Sequence, residues 1–286
     1  MQGASLPSIQ TLAFGDIQVV KPGVQYVIFV THQLQSTLLS AVLIAVFTFA
    51  ELIRPAPHHP TTRGRLLNIL IGLIVSVFAF FLVLVLGRLS QLLWREGLIG
   101  VVCPGWRSTG LFGLSLSVFV YGATWDFFQY WFHRWQHEAP RLWPSHRVHH
   151  SDSAITTTTA LRRSILELFL LFAFVLVPTV IVAGVDEIAA PIAFAIFYGW
   201  GFFNHANVRL SLGPLTPVFS GPQWHRLHHG IDAKYRDQNY AAYFPILDIV
   251  FGTYRAPGKD EYPATGVRDT VATAHPMQDC FVPTRR

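Results

Sequence analysis

Long apolar runs constrain a chain more than any other feature here, because a helix needs about 20 such residues to cross the hydrocarbon of a bilayer. Four windows of that kind occur, at residues 34–52, 66–86, 111–131 and 165–183. A fifth, at 188–203, is shorter and is interrupted by Pro191, Gly199 and Gly201. The window 66–86 carries no charge at all, and one modest soluble core does not accommodate several such helices. Composition agrees: only 13% of residues are charged, against about 25% in a soluble domain. The expected fold class is therefore all-α, an integral membrane helical bundle of four to five apolar segments.

Basic residues set the expected orientation. Of the 21, five lie in 132–164 and nine in 204–286, while the connector 184–187 has none and carries Asp186 and Glu187. The positive-inside rule puts the two basic regions on the cytoplasmic side, in a bacterial inner membrane or the endoplasmic reticulum. The same distribution accounts for the net charge of +5 without a nucleic-acid partner. Residues 1–21 lack a basic stretch followed by an apolar core, so no cleavable signal peptide is expected. Cys103 and Cys280 stand far apart and form no C-x-x-C pair, which excludes a disulfide framework and a zinc-ribbon site.

The chemistry is written in histidine. Nine of the 13 fall between His133 and His229, in three local groups and one isolate. His133 and His137 are four apart; His146, His149 and His150 are spaced three and four, and His225, His228 and His229 repeat that pattern. On a helix these offsets bring the imidazoles to one side, about 5–6 Å apart at Cβ. In the third group Ser220 is expected as the helix cap, Pro222 in its first turn and Gly230 at its end. His205 stands alone at the end of the fifth apolar segment, beside the others, and is included as a ligand. Nine imidazoles exceed what one ion takes, so two ions are expected; imidazole suits zinc, copper, iron and nickel alike. No H-E-x-x-H string of a zinc protease is present. His32, His58, His59 and His275 show no grouping and read as ordinary surface residues.

From Leu111 to His137 is 27 residues, about 40 Å of helix. That exceeds the ~30 Å hydrocarbon layer, so the first histidine pair emerges at the membrane surface, in a cytoplasmic helical cap. Asp126, Tyr130, His133 and His137 form one stripe. Asp126 lies about two turns deeper and needs a partner there; accepting the free N–H of a ligand histidine is the expected use.

These motifs resemble the fatty acid hydroxylase/sterol desaturase superfamily of membrane di-iron oxygenases. The likeness runs from about Asp126 to Tyr254. Besides the histidine boxes it includes Asp126 with Tyr130, Arg162 through Glu167, Asn204-His205, Asp237 with Asn239-Tyr240, and Asp248 through Tyr254. Ser164-Ile165 stand where the family often has His-Pro, and Ala241 where Gly is common.

The resemblance implies an N-terminal segment and transmembrane hairpin over 1–110, a catalytic domain over 111–255 and a cytoplasmic tail over 256–286. It implies two iron ions, cycling between ferrous and ferric, that use O₂ to hydroxylate or desaturate a C–H bond of a lipid such as a sterol or fatty acyl chain. Their ligands would be His133, His137, His146, His149, His150, His205, His225, His228 and His229, with no catalytic residue beyond them. Supporting roles fall to Asp126, Tyr130, Asn204, Asp237, Asn239 and Asp248. With no recognisable haem, flavin or iron–sulfur motif, a separate electron donor is implied. A membrane metal-binding or transport protein, and a zinc hydrolase on the same scaffold, are the alternatives.

Overall fold

The computed structural model describes residues 22–57, 60–95, 110–184, 188–268 and 276–281, with side chains from residue 37 onward outside the last part of the second helix. Cys103, His58, His59, His275, the stretch 1–21 and most of the connector 184–187 lie outside the described residues, as does the side chain of His32. The chain forms two compact units, Met1–Leu38 and Leu39–Arg286. In the first, the described residues are the leading turns of α1.

Every regular element among the described residues is helical, with two isolated bridges, Pro55 with Val208 and Gly230 with Thr265, in the loops. The long elements are α1 (Pro22–Ile53), α2 (Thr62–Arg95), α3 (Gly110–Glu138) and α7 (Ala189–His205). The window 165–183 forms α5 (Ile165–Leu171), a π-turn (Phe172–Leu176) and α6 (Val177–Ala183) in one run. Pro178 explains the π-turn: proline has no N–H to donate and its ring crowds the carbonyl four residues back, so the preceding turn widens. The short helices α4 (Trp143–His150), α8 (Pro222–His228) and α9 (Ile246–Val250) build the cap, and α10 (Pro276–Phe281) closes the chain.

Three described helices are long and apolar enough to cross a membrane: Thr62–Leu82, Gly110–Glu138 and Ile165–Ala183. The apolar part of α1, Thr37–Ile53, is shorter. The surface confirms the solvent. Phe49, Leu73, Phe81, Leu111 and Phe112 point outward, while Asn68, Asp126, Asp152, Arg162 and Glu167 are buried. Such inversion is stable where the surroundings are lipid and every interior polar group has a partner.

Two apolar clusters sit at the ends of a polar interior. Tyr130, Trp224, Tyr240 and Ala241 pack with Trp131 and Phe251, tying α3 to α8 and the loop after it. Ile71, Val75 and Cys280 pack with Leu67, Ile165 and Met277, so α10 docks against α2 and α5. The described part of the tail packs on the body: Arg226 Nε donates to Pro263 O and Gln223 Nε2 to Gly258 O.

Candidate metal centre

Four elements converge on one buried space. The inner stripe of α3 brings His133 and His137; α4 brings His146, His149 and His150; α7 ends on His205; α8 and the residue after it bring His225, His228 and His229. The nine rings form two sets, His133, His137, His146, His150 and His228 in one, and His149, His205, His225 and His229 in the other. Within each set the candidate ligand nitrogens lie within 4.8 Å of one another. Each triple box is therefore shared. Residues four apart are offset by about 40° around a helix and residues three apart by about −60°, so His146 and His150 turn one way and His149 the other.

The outer nitrogens are tied to the protein. Nδ1 of His133 lies 2.7 Å from Tyr240 O, that of His228 2.8 Å from Gln238 O, that of His149 3.1 Å from Arg162 O and that of His205 2.7 Å from Gly201 O. A carbonyl can only accept, so each of these Nδ1 atoms carries the proton and each Nε2 is a bare lone pair. The Nε2 atoms of His133, His137, His146, His150 and His228 are buried and have no hydrogen-bond partner. In the other set, Nε2 of His149 and of His205 face each other at 3.0 Å, with His225 Nε2 3.1 Å from His205 Nε2. Two bare lone pairs that close repel unless a cation lies between them. A metal–nitrogen bond of about 2.0–2.1 Å leaves neighbouring ligand nitrogens about 3.0–3.4 Å apart, so the spacing fits a coordination sphere.

The surroundings favour the uncharged form of several of these rings. Burial, reinforced by neighbouring imidazoles, pushes His149, His150, His225 and His229 well below the usual histidine range, and holds His228 at about 3. Neutral imidazole is the form that binds metal.

Of the supporting residues, Asp126 acts differently from expectation. Asp126 touches no histidine; its carboxylate accepts the backbone N–H groups of Ala242, Tyr243 and Phe244 at 2.7–3.3 Å. The loop held in this way presents Tyr240 O to His133. Tyr130 bonds Thr253 Oγ1, and Asp248 accepts from Tyr240 N, Ala241 N and Thr253 Oγ1. Asn204 bonds Ser220 and Ala242 O. Asp237 and Asn239 have φ of 59° and 61°, the left-handed region that Asp and Asn tolerate best among non-glycine residues. Their turn aims the carbonyls of Gln238 and Tyr240 inward. Asp237 Oδ1 also lies 4.0 Å from His137 Nδ1, within reach of its charge but beyond a hydrogen bond. Asn239 Nδ2 reaches Arg255 O.

Ser220 does not cap α8. Gly221 holds that position, with Pro222 opening the helix, and Ser220 Oγ is engaged with Asn204 and Ala242 O. The helix closes at His228, one residue before the box ends.

One partner escaped the sequence reading: Glu167, whose Oε1 lies 3.1 Å from His146 Nδ1. Ser164-x-x-Glu167 is a capping-box string, and Ser164 Oγ does accept Glu167 N–H. The glutamate side chain turns to the histidine instead. Its signal was an acid in the first turn of an otherwise apolar helix.

Comparison with known proteins places this geometry. Residues 118–253 match the fatty acid hydroxylase family. The chain is 32% identical over 204 residues to an alkylglycerol monooxygenase of Homo sapiens, covering 69% of this chain and 44% of that protein. It is 38% identical over 136 residues to one of Danio rerio, covering 48% of this chain and 30% of that protein. An ornithine lipid hydroxylase of Rhizobium tropici is 28% identical over 152 residues, covering 51% and 44%. In each case the match spans less than half of the relative's own length. No solved structure matches. Through the segment that holds eight of its nine clustered histidines in the boxes and the ninth between them, the chain belongs to the fatty acid hydroxylase superfamily.

Proposed function

We propose that the chain is a di-iron, O₂-dependent lipid monooxygenase. The observation that carries this reading is the set of bare imidazole nitrogens converging in two groups at the end of apolar, membrane-length helices. His133, His137, His146, His150 and His228 would hold one ion, and His149, His205, His225 and His229 the other. Iron bound there supplies the redox chemistry that turns O₂ on an unactivated C–H bond. One oxygen atom enters the substrate as hydroxyl, and the other leaves as water with two electrons and two protons from a separate donor.

The chain's own groups do the rest. Carbonyls of Tyr240, Gln238, Arg162 and Gly201 fix four ring orientations, and Glu167 fixes that of His146. Burial keeps bulk water away from the centre. The apolar flanks of α2, α3 and α5 leave a lipid as the natural substrate, reached from the bilayer. Hydroxylation is favoured over desaturation because the similar proteins include an alkylglycerol monooxygenase and an ornithine lipid hydroxylase. The basic regions beside the boxes support a centre on the cytoplasmic side, where an acidic electron-transfer partner could dock.

The test is metal content with product mass. Purified protein should carry about two irons per chain, the number the two ligand sets call for. Cells expressing it should gain a lipid heavier by one oxygen. His149→Ala and His228→Ala, one from each set, should each abolish that product. A protein that holds zinc alone and releases a hydrolysis product would overturn the assignment.

A further inference from the structure

We propose that residues 240–250, with the neighbouring loop 214–219, form a re-entrant segment that dips into the acyl layer beside α3. This goes beyond the catalytic reading and depends only on the chain lying in a bilayer.

Depth along α3 is the first argument. The apolar window of that helix ends at Trp131. Asp126 lies five residues below that point and Phe119 twelve below, about 8 Å and 18 Å at 1.5 Å per residue. Asp126 grips the amides of Ala242, Tyr243 and Phe244. Phe119 meets Phe244 with ring centroids 5.9 Å apart. The loop therefore runs alongside α3 well inside the apolar window, although α9 has only five residues and cannot cross.

The second argument is the backbone. A loop in water leaves its N–H groups to solvent, whereas irregular backbone at membrane depth survives only where protein satisfies it. Here two buried carboxylates serve that purpose: Asp248 takes the N–H groups of Tyr240 and Ala241, and Asp126 those of the next three residues. Carbonyls are engaged as well, Tyr240 O by His133, Ala242 O by Asn204 and Tyr243 O by Ser220 N–H.

The third is the outward face. Ile246, Ile249 and Val250 are exposed, Val250 to 66%, and Leu215 (57%), Val218 and Phe219 are exposed nearby. Phe219 joins the two loops through Phe244, at 6.2 Å between centroids. The only charged residue in 238–254 is Asp248, which is buried, and 210–224 has none. This surface continues the exposed flank of α3, including Phe119 and Phe127. Lipid already surrounds that flank, so acyl chains are the occupant the surface fits.

Labelling of the full chain in bilayers containing a phosphatidylcholine with a mid-chain diazirine tests this. Adduct yield on 244–251 should come within about threefold of that on residues 111–121, since both would sit in the same ~30 Å hydrocarbon layer. Residues 232–236 and 256–262 should stay unlabelled. Label on α3 but none on 244–251 would overturn the proposal, as would crosslinking of that face to a second polypeptide. The same pattern is expected without metal, so failure here is separable from failure of the oxygenase reading.

Discussion

An imidazole points a bare Nε2 inward only when something outside takes its Nδ1 proton, and in this protein that acceptor is chiefly a backbone carbonyl. Asp126 supports the one turn that carries two such carbonyls, Gln238 O and Tyr240 O, at one remove, by pinning the loop that follows Tyr240. Asp126→Ala leaves three N–H groups, one buried and two partly buried, without an acceptor. At about 1–3 kcal/mol each, stability should fall by at least ~3 kcal/mol, measured as a lowered midpoint in thermal or denaturant unfolding, with metal content falling alongside. Asp126→Asn keeps one acceptor oxygen and should lose less. The cage also carries a pH dependence of definite sign. His149, His150, His225, His228 and His229 have folded pKa values below the ordinary histidine value. Above about 6.5 neither the folded nor the unfolded form of these rings is protonated, and they contribute nothing to the slope. As pH falls below that value the unfolded chain takes up protons first, so stability falls, by up to about 1.4 kcal/mol per pH unit per ring. Unfolding of the metal-free protein at pH 7.5 and 5.5 should show the loss; equal midpoints would mean the rings are not buried neutral. The clustered histidines were legible because their spacing is local and their residue type is rare. Their orienting partners were not, because a carbonyl belongs to every residue, and only the left-handed turn at Asp237 and Asn239 brings the right ones round.

At the scale of elements, the cage is as sound as the contact between α3 and α7, which deliver three of its histidines. That contact runs through Gly122, where an added Cβ would fall 1.8 Å from the ring of Phe197. Phe197 cannot swing away freely, since it packs against Tyr243 at 4.4 Å and against Phe244. Gly122→Ala should therefore push α7 outward, at a cost of about 1–3 kcal/mol for overpacking, and displace His205 while leaving the α3 pair in place. Loss of one metal rather than two, read by metal analysis, would distinguish that displacement from general unfolding. The helices themselves were plain in the hydropathy pattern: the α5–α6 run coincides with its window, and α2 and α3 begin near theirs but run nine and seven residues past their ends. Two features were hidden. The π-turn before Pro178 depends on how a kinked helix packs, and the docking of α10 depends on Cys280 finding Ile71 and Val75, some two hundred positions earlier.

At the scale of the whole molecule, the two histidine sets add a tie between elements that already pack on one another. Each set draws on three elements: α3, α4 and α8 in one; α4, α7 and the end of α8 in the other. Without a cation, bare nitrogens face one another at 3.0 Å and push these elements apart. With one, the same atoms hold them. Binding to the folded state alone adds RT ln(1 + [L]/Kd), about 4 kcal/mol for each ion at a thousandfold excess over Kd. In a chain of this size that corresponds to a rise of roughly 10 °C or more in the melting temperature. The spanning helices owe their burial to lipid rather than to the metals, so chelation should not release the protein from the membrane. It should loosen the cap. Limited proteolysis of the chelated protein in bilayers is expected to cut first within 206–240, where the third box and its turn lose their anchor, while α2 and α3 stay protected. If chelated and loaded protein melted together and were cut at the same rate, the rings would hold their places without help, and the claim that metal binding and cap folding are one event would fail.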